Sequence, residues 1–170
     1  TTSKNPRSTV GTITEIYDYL RLLFARIGTP YCPKHHIKIE AQSPQRIAQR
    51  IQEELKGEIT ILAPIIRQKK GTYEKLLEDL NKEGFTRARV NKVLQRTDEK
   101  VKLERYKKHD IDAVIDRLDV KDTSRLTESI ENAIIKSKDL VIVLDKKGIE
   151  HIFSSNMACP KCGIAFEELQ

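Results

Sequence analysis

The chain has 170 residues, 38% hydrophobic and 33% charged, with a formal net charge of +6, three cysteines and no Trp. That length suits one ordinary domain or one domain with a small satellite. Its longest apolar runs, "ITILAPII" and "LVIVL", fall far short of the roughly 18–20 residues that a bilayer span requires.

The chain opens on Thr1, and its one Met is Met157, which predicts a piece of a longer protein. No charged segment leads into an apolar one at the start, so a cytoplasmic setting is expected. An odd cysteine count with one Cys-x-x-Cys then points to metal or redox chemistry rather than a disulfide framework.

Residues 1–12 are polar and basic and read as a loop. "TEIYDYLRLLFARIG" follows, with Thr12 or Thr14 as candidate cap. Ile16, Leu20, Leu23 and Ile27 recur there at helical spacing, with Gly28 at the stop. "SPQRIAQRIQEELKGE" predicts a second helix, with Ser43 as N-cap, Pro44 at N1 and Ile47, Ile51 and Leu55 on one face. "EITILAPII" reads as a strand. "GTYEKLLEDLNKEG" is a short helix capped by Thr72 and stopped at Gly84. "FTRARVNKVLQ" and "HDIDAVIDRLDV" each read as a strand. "SRLTESIENAIIKSKD" is a further helix, and the strands "LVIVLD" and "IEHIFSSN" close the unit through "KKG".

This order predicts an α+β fold with a mixed, largely antiparallel sheet and helices packed on it. The block from about Ser43 to Phe153 is long enough to bury its own core.

Two metal-like half-sites flank that block. "CPKHH" offers Cys32 and His35, and "ACPKCG" offers Cys159 and Cys162. Together they make a Cys3His set suited to zinc in a closed, structural, tetrahedral shell. The halves lie 159 − 32 = 127 residues apart, so a shared site would make the block between them an insertion pinned at its two ends. Two incomplete sites or a redox pair are the competing readings, and His36 is an alternative ligand to His35.

Strand alternation predicts Asp110, Asp112 and Asp116 on one solvated face, with His109 pointing away. Arg87 and Arg89 share a face of their strand, and Arg117 joins them from another. Arginines fixed on a sheet suit bidentate recognition of carboxylate or phosphate, against the plainer reading of solubilising charge. "IRQKKGTYEK" and "ERYKKHD" are basic runs, read either as phosphate contacts or as solvated loops. The chain carries no phosphate-binding G-x-x-x-x-G-K-[ST] loop, dinucleotide turn or G-x-S-x-G element, so no catalysis is expected from it alone.

The segments "NPRSTVGTITEIYDYLRLLFARIGTPYCPKH", "LAPIIRQKKG", "GFTRARVN", "KKHDIDAVIDRL" and "FSSNMACPKCGIAFEEL", in this order, resemble the UvrA family of damage-sensing ATPases of nucleotide excision repair. The resemblance implies a tail of ATP-binding module I over residues 1–31, a zinc module over 32–40 and 153–170, and a UvrB-binding domain over 41–152. It also implies zinc on Cys32, His35, Cys159 and Cys162. Partner contacts would come from Arg87 or Arg89 and from Arg117, with Asp116 beside them. ATP would be used only by the parent protein, which would be a homodimer that binds DNA. The alternative expectation is a zinc-containing module that contacts DNA directly.

Overall fold

The computed structural model describes residues 16–99, 101–157 and 159. In chain order the elements are α1 (Ile16–Ile27), α2 (Pro44–Glu54), β1 (Glu58–Lys70), α3 (Glu74–Lys82), β2 (Arg87–Val90), β3 (Val93–Arg96), β4 (Lys108–Asp119), α4 (Thr123–Ser137), β5 (Leu140–Leu144) and β6 (Glu150–Ser154). The strands form an open sheet in the order β3-β2-β4-β1-β5-β6, with every pairing antiparallel. The fold is α+β. No described helix is long and apolar enough to cross a membrane.

Local chemistry accounts for most boundaries. Ser43 caps α2 by accepting from the Arg46 N–H at 3.2 Å, and Pro44 occupies the first helical position, where a missing N–H costs nothing. Gly84 follows α3 at φ +96°, a conformation that a side chain would strain. Asp122 caps α4 through the Arg125 N–H.

Two expectations about the elements are corrected. The segment "FTRARVNKVLQ" is not one strand but a hairpin, β2–β3. Its two-residue turn is Asn91-Lys92, both left-handed at φ 47° and 71°, as a two-residue hairpin turn requires. Thr72 does not cap α3: Tyr73 takes that position with a left-handed backbone and no side-chain cap bond.

Helices α2, α3 and α4 cover one face of the sheet. Ile47 and Ile51, Leu77 and Leu80, and Leu126 and Ile130 meet Ile59, Ile61, Ile111, Val143 and Phe153 in a single buried cluster. Each such side chain contributes about 2 kcal/mol by leaving water. Helix α1 stands apart with no buried residue.

The opposite face carries no helix from this cluster, yet Leu62 and Ile142 on it are fully buried. The sheet curls over them. Arg89 on β2 meets Glu150 on β6 at 2.7 Å, although a flat sheet would hold those strands about 19 Å apart.

A β-bulge sets which residues face which way. Ile61 pairs with Asp116 but Leu62 with Val114, so Ile115 is an extra residue in β4. Beyond it the alternation inverts. Asp112, opposite Pro64, looks to the curled face, whereas Asp116, opposite Ile61, looks to the helices. Asp112 and Asp116 therefore lie on opposite faces. The expected solvated acidic face is absent: Asp112 is 2% exposed and His109 4%.

Candidate functional site

Chain reversal over residues 30–39 builds the first half of the metal site. The Cys32 N–H donates to the Ile37 carbonyl at 2.9 Å and the His36 N–H to the Cys32 carbonyl at 2.8 Å. The second bond closes a turn that puts Cys32 and His35 side by side, and His36, at φ 53°, reverses the chain after it. His35 Nδ1 lies 3.6 Å from Cys32 Sγ and 3.7 Å from Cys159 Sγ. Ligand atoms on a tetrahedral zinc, with Zn–S about 2.3 Å and Zn–N about 2.0–2.1 Å, stand roughly 3.6 Å apart. The three groups thus fit a tetrahedral ion. Cys32 and Cys159 are buried, and Ile39 and Met157 pack against them.

Burial works to raise the Cys32 thiol. The His35 backbone N–H, the Cys159 side chain, the Lys34 N–H and the His35 side chain outweigh it, bringing the thiol down to about 6, in the direction of the thiolate a metal takes. His36 is not in the cluster. Cys162 lies outside the described residues, as do Thr12 and Thr14.

The register puts Arg87, Arg89 and Arg117 on the curled face. Arg89 pairs with Asp112, and Arg117 pairs with Thr60, two positions from Leu62 on β1. Their surroundings differ sharply. Arg89 is 5% exposed. Its Nε and Nη2 reach Asp112 Oδ2 at 2.8 and 2.7 Å, and its Nη1 reaches Glu150 Oε1 at 2.7 Å. Lys92 adds a second cation to Glu150. Burial pushes the Asp112 carboxyl up despite Arg89. Burial also acts to raise Glu150, but Lys92 and Arg89 overcome it and hold that carboxyl low.

Arg87 and Arg117 are exposed and line a groove of about 800 Å³ with Thr60, Leu94, Val114 and Leu144. Arg117 bonds Glu58 at 2.5 Å, both side chains at least half exposed. Arg87 makes no ion pair among the described residues.

Asp116 serves the helix side. It takes both Nε and Nη2 of Arg125, at 2.8 and 2.7 Å, and the Ser129 hydroxyl at 2.9 Å. The Arg125 guanidinium, then Ser129 and the Arg117 N–H, hold its carboxyl below the usual range. A depressed carboxylate contributes stability above its unfolded value, near pH 4, and loses it as pH falls through the folded value. Asp116→Asn should therefore lower the urea midpoint at pH 7, and the gap to the parent should narrow below about pH 4. A gap that stays constant with pH would mean that ionisation of Asp116 does not contribute.

Glu58, Lys92 and Glu150 escaped the sequence reading because they act across strands that sequence spacing does not join. The bulge did leave a trace. Strict alternation would set Arg117 on the apolar face of Ile111, Ala113 and Ile115, and Leu118 with the aspartates, a conflict that one extra residue resolves.

Residues 42–147 match the family described as the UvrA interaction domain. The chain is 50% identical over 173 residues to the UvrABC system protein A of Clostridium perfringens, covering 99% of this chain and 18% of that protein. The proteins of the same name from Staphylococcus epidermidis and Staphylococcus aureus are 49% and 47% identical, each match covering all of this chain and 18% of the relative. The chain thus spans less than a fifth of the length of these relatives.

Proposed function

The chain belongs to the UvrA family, and from that premise we propose that it is the partner-docking portion of a damage-recognition ATPase of nucleotide excision repair. Residues 41–152 are the docking domain, residues 1–31 the tail of the first ATP-binding module, and residues 32–40 with 153–170 a zinc module. Zinc is held by Cys32, His35, Cys159 and Cys162. It is structural, since four protein ligands leave no position for water.

The partner is UvrB, met at an acidic surface. The observation that carries this reading is the contrast among the three arginines. Among the described residues, Arg89 is consumed by Asp112 and Glu150, whereas Arg87 has no ion pair and Arg117 has only the exposed Glu58 to leave. An exposed ion pair is worth little, so Arg117 can exchange Glu58 for a partner carboxylate at small cost. Arg89 and Asp116 then support the face rather than touch the partner. ATP use, homodimer formation and a cytoplasmic setting belong to the parent protein in this reading.

Arg87→Ala and Arg117→Glu should each weaken UvrB binding by at least about 30-fold, roughly 2 kcal/mol, without lowering the thermal midpoint. Raising salt should weaken the parent complex and leave the double variant nearly unaffected. Calorimetric titration of UvrB into the chain provides the measurement. Unchanged affinity in both variants would move the docking surface off the groove.

A further inference from the structure

A second charged surface lies at the other end of β4, roughly 25–30 Å along the strand from Arg117. Residues 67–70 and 102–108 carry seven of the 31 basic residues and one of the 25 acidic ones, which leaves 24 of each elsewhere. These eleven residues therefore hold the whole formal surplus of the chain. Sequence distance separates the two runs, but the antiparallel register brings them together: Lys70 stands directly opposite Lys108, and Lys69 opposite His109. Arg67, Lys69, Lys70, Lys102, Arg105, Lys107 and Lys108 are all exposed.

Like charges directly opposite one another on a sheet are destabilising, and neighbouring acids do little to relieve them. Glu104 pairs with Lys107. Asp110, the carboxylate beside the pair, is taken by the backbone and side-chain amides of Gln68 at 2.8 and 2.7 Å. The arm is also firmly held. His109 is buried, its Nε2 donating to the Glu104 carbonyl and its Nδ1 accepting from the Asn91 amide. The Tyr73 hydroxyl donates to the Lys70 carbonyl. At the tip, between Arg105 and Lys107, the aromatic ring of Tyr106 is 79% exposed.

We infer that this arm is a nucleic-acid phosphate-binding site, separate from the groove, on which Lys69, Lys70, Lys107 and Lys108 engage backbone phosphates and Tyr106 lies against a base or sugar. Exposed cations on a firmly held arm, of which only Lys107 has a carboxylate partner among the described residues, interleaved with an exposed aromatic, suit a polyanion with planar groups. An acidic protein surface would leave Tyr106 without such a face to stack on.

The test is anisotropy titration of the 170-residue chain, loaded with zinc, against a labelled DNA duplex of about 20 base pairs and its single strand. Binding is expected at about 50 mM salt and should fall about 100-fold by 200 mM if four phosphates are engaged. Lys70→Glu should cost about tenfold in affinity at the lower salt. Because it sets a carboxylate opposite Lys108, it should leave the thermal midpoint no lower than that of the parent. Stronger single-strand binding that is lost in Tyr106→Ala would support the site as drawn, and equal binding of the two probes, unmoved by Tyr106→Ala, would remove Tyr106 from it. Absence of binding at 50 mM salt would overturn it. So would an affinity indifferent to Lys70→Glu and to Lys69→Gln with Lys107→Gln, or competition by polyglutamate equal to DNA per charge.

Discussion

Replacing Cys32 or Cys159 by Ser is expected to drop bound zinc from about one per chain to near none, while the sheet stays folded. Among the described residues the clasp is a small unit. Its reversal rests on a few backbone bonds over residues 30–39 and a buried cluster of Cys32, Ile39 and Cys159. That cluster shares no residue with the one under the sheet. For so small a unit, metal binding supplies the folding energy, so the ligand variants should lose amide protection over residues 31–39 and keep it in β1, β4 and β5. Zinc content by absorption spectroscopy and hydrogen exchange together make the check. Full zinc retained in Cys32→Ser but lost in Cys159→Ser would show that the second half-site finds its ligands elsewhere.

Arg89→Ala should cost about 3–5 kcal/mol in urea unfolding at pH 7, because it strands a buried carboxylate. Asp112 is 2% exposed, and its Oδ1 has no hydrogen-bond partner among the described residues. Burial already pushes its carboxyl up with Arg89 in place. Without the guanidinium, Asp112 should take up a proton more readily, so part of the loss should return as pH falls. Replacing both groups, as in Arg89→Met with Asp112→Leu, should restore most of the stability. A single variant losing under about 1 kcal/mol would mean that the pair is solvated like an ordinary surface contact.

The helices were legible because their signals are local. Ser43-Pro44 and the Ile47/Ile51 spacing mark α2, and Leu126, Ile130 and Ala133 mark α4. The strand positions were legible too, from apolar runs between turns. Less legible was anything that depends on counting across the sheet. The hairpin at Asn91-Lys92 lacks the Gly that usually announces such a turn; Asn91 instead secures it by bonding His109 and the Asp110 N–H. The bulge at Ile115 changes no local propensity, yet it decides that Arg117 faces the groove and Asp116 the helices. For the metal site, residue types and spacing implied the ligands, and the structure brings three of them together. The burial of Arg89 has no local signal, since its carboxylates lie 23 and 61 residues away.

Cys32 and Cys159 stand at one point although 159 − 32 = 127 residues separate them. Once an ion joins their sulfurs, a pull on the chain from its two sides is carried through a few ångströms of metal–ligand bond. Residues 33–158 hang from that junction under no tension. With that junction closed, the curled sheet, its groove and its basic arm would keep their shape under such a pull. A unit joined in this way would be swung like a tool on a swivel rather than stretched like a tether.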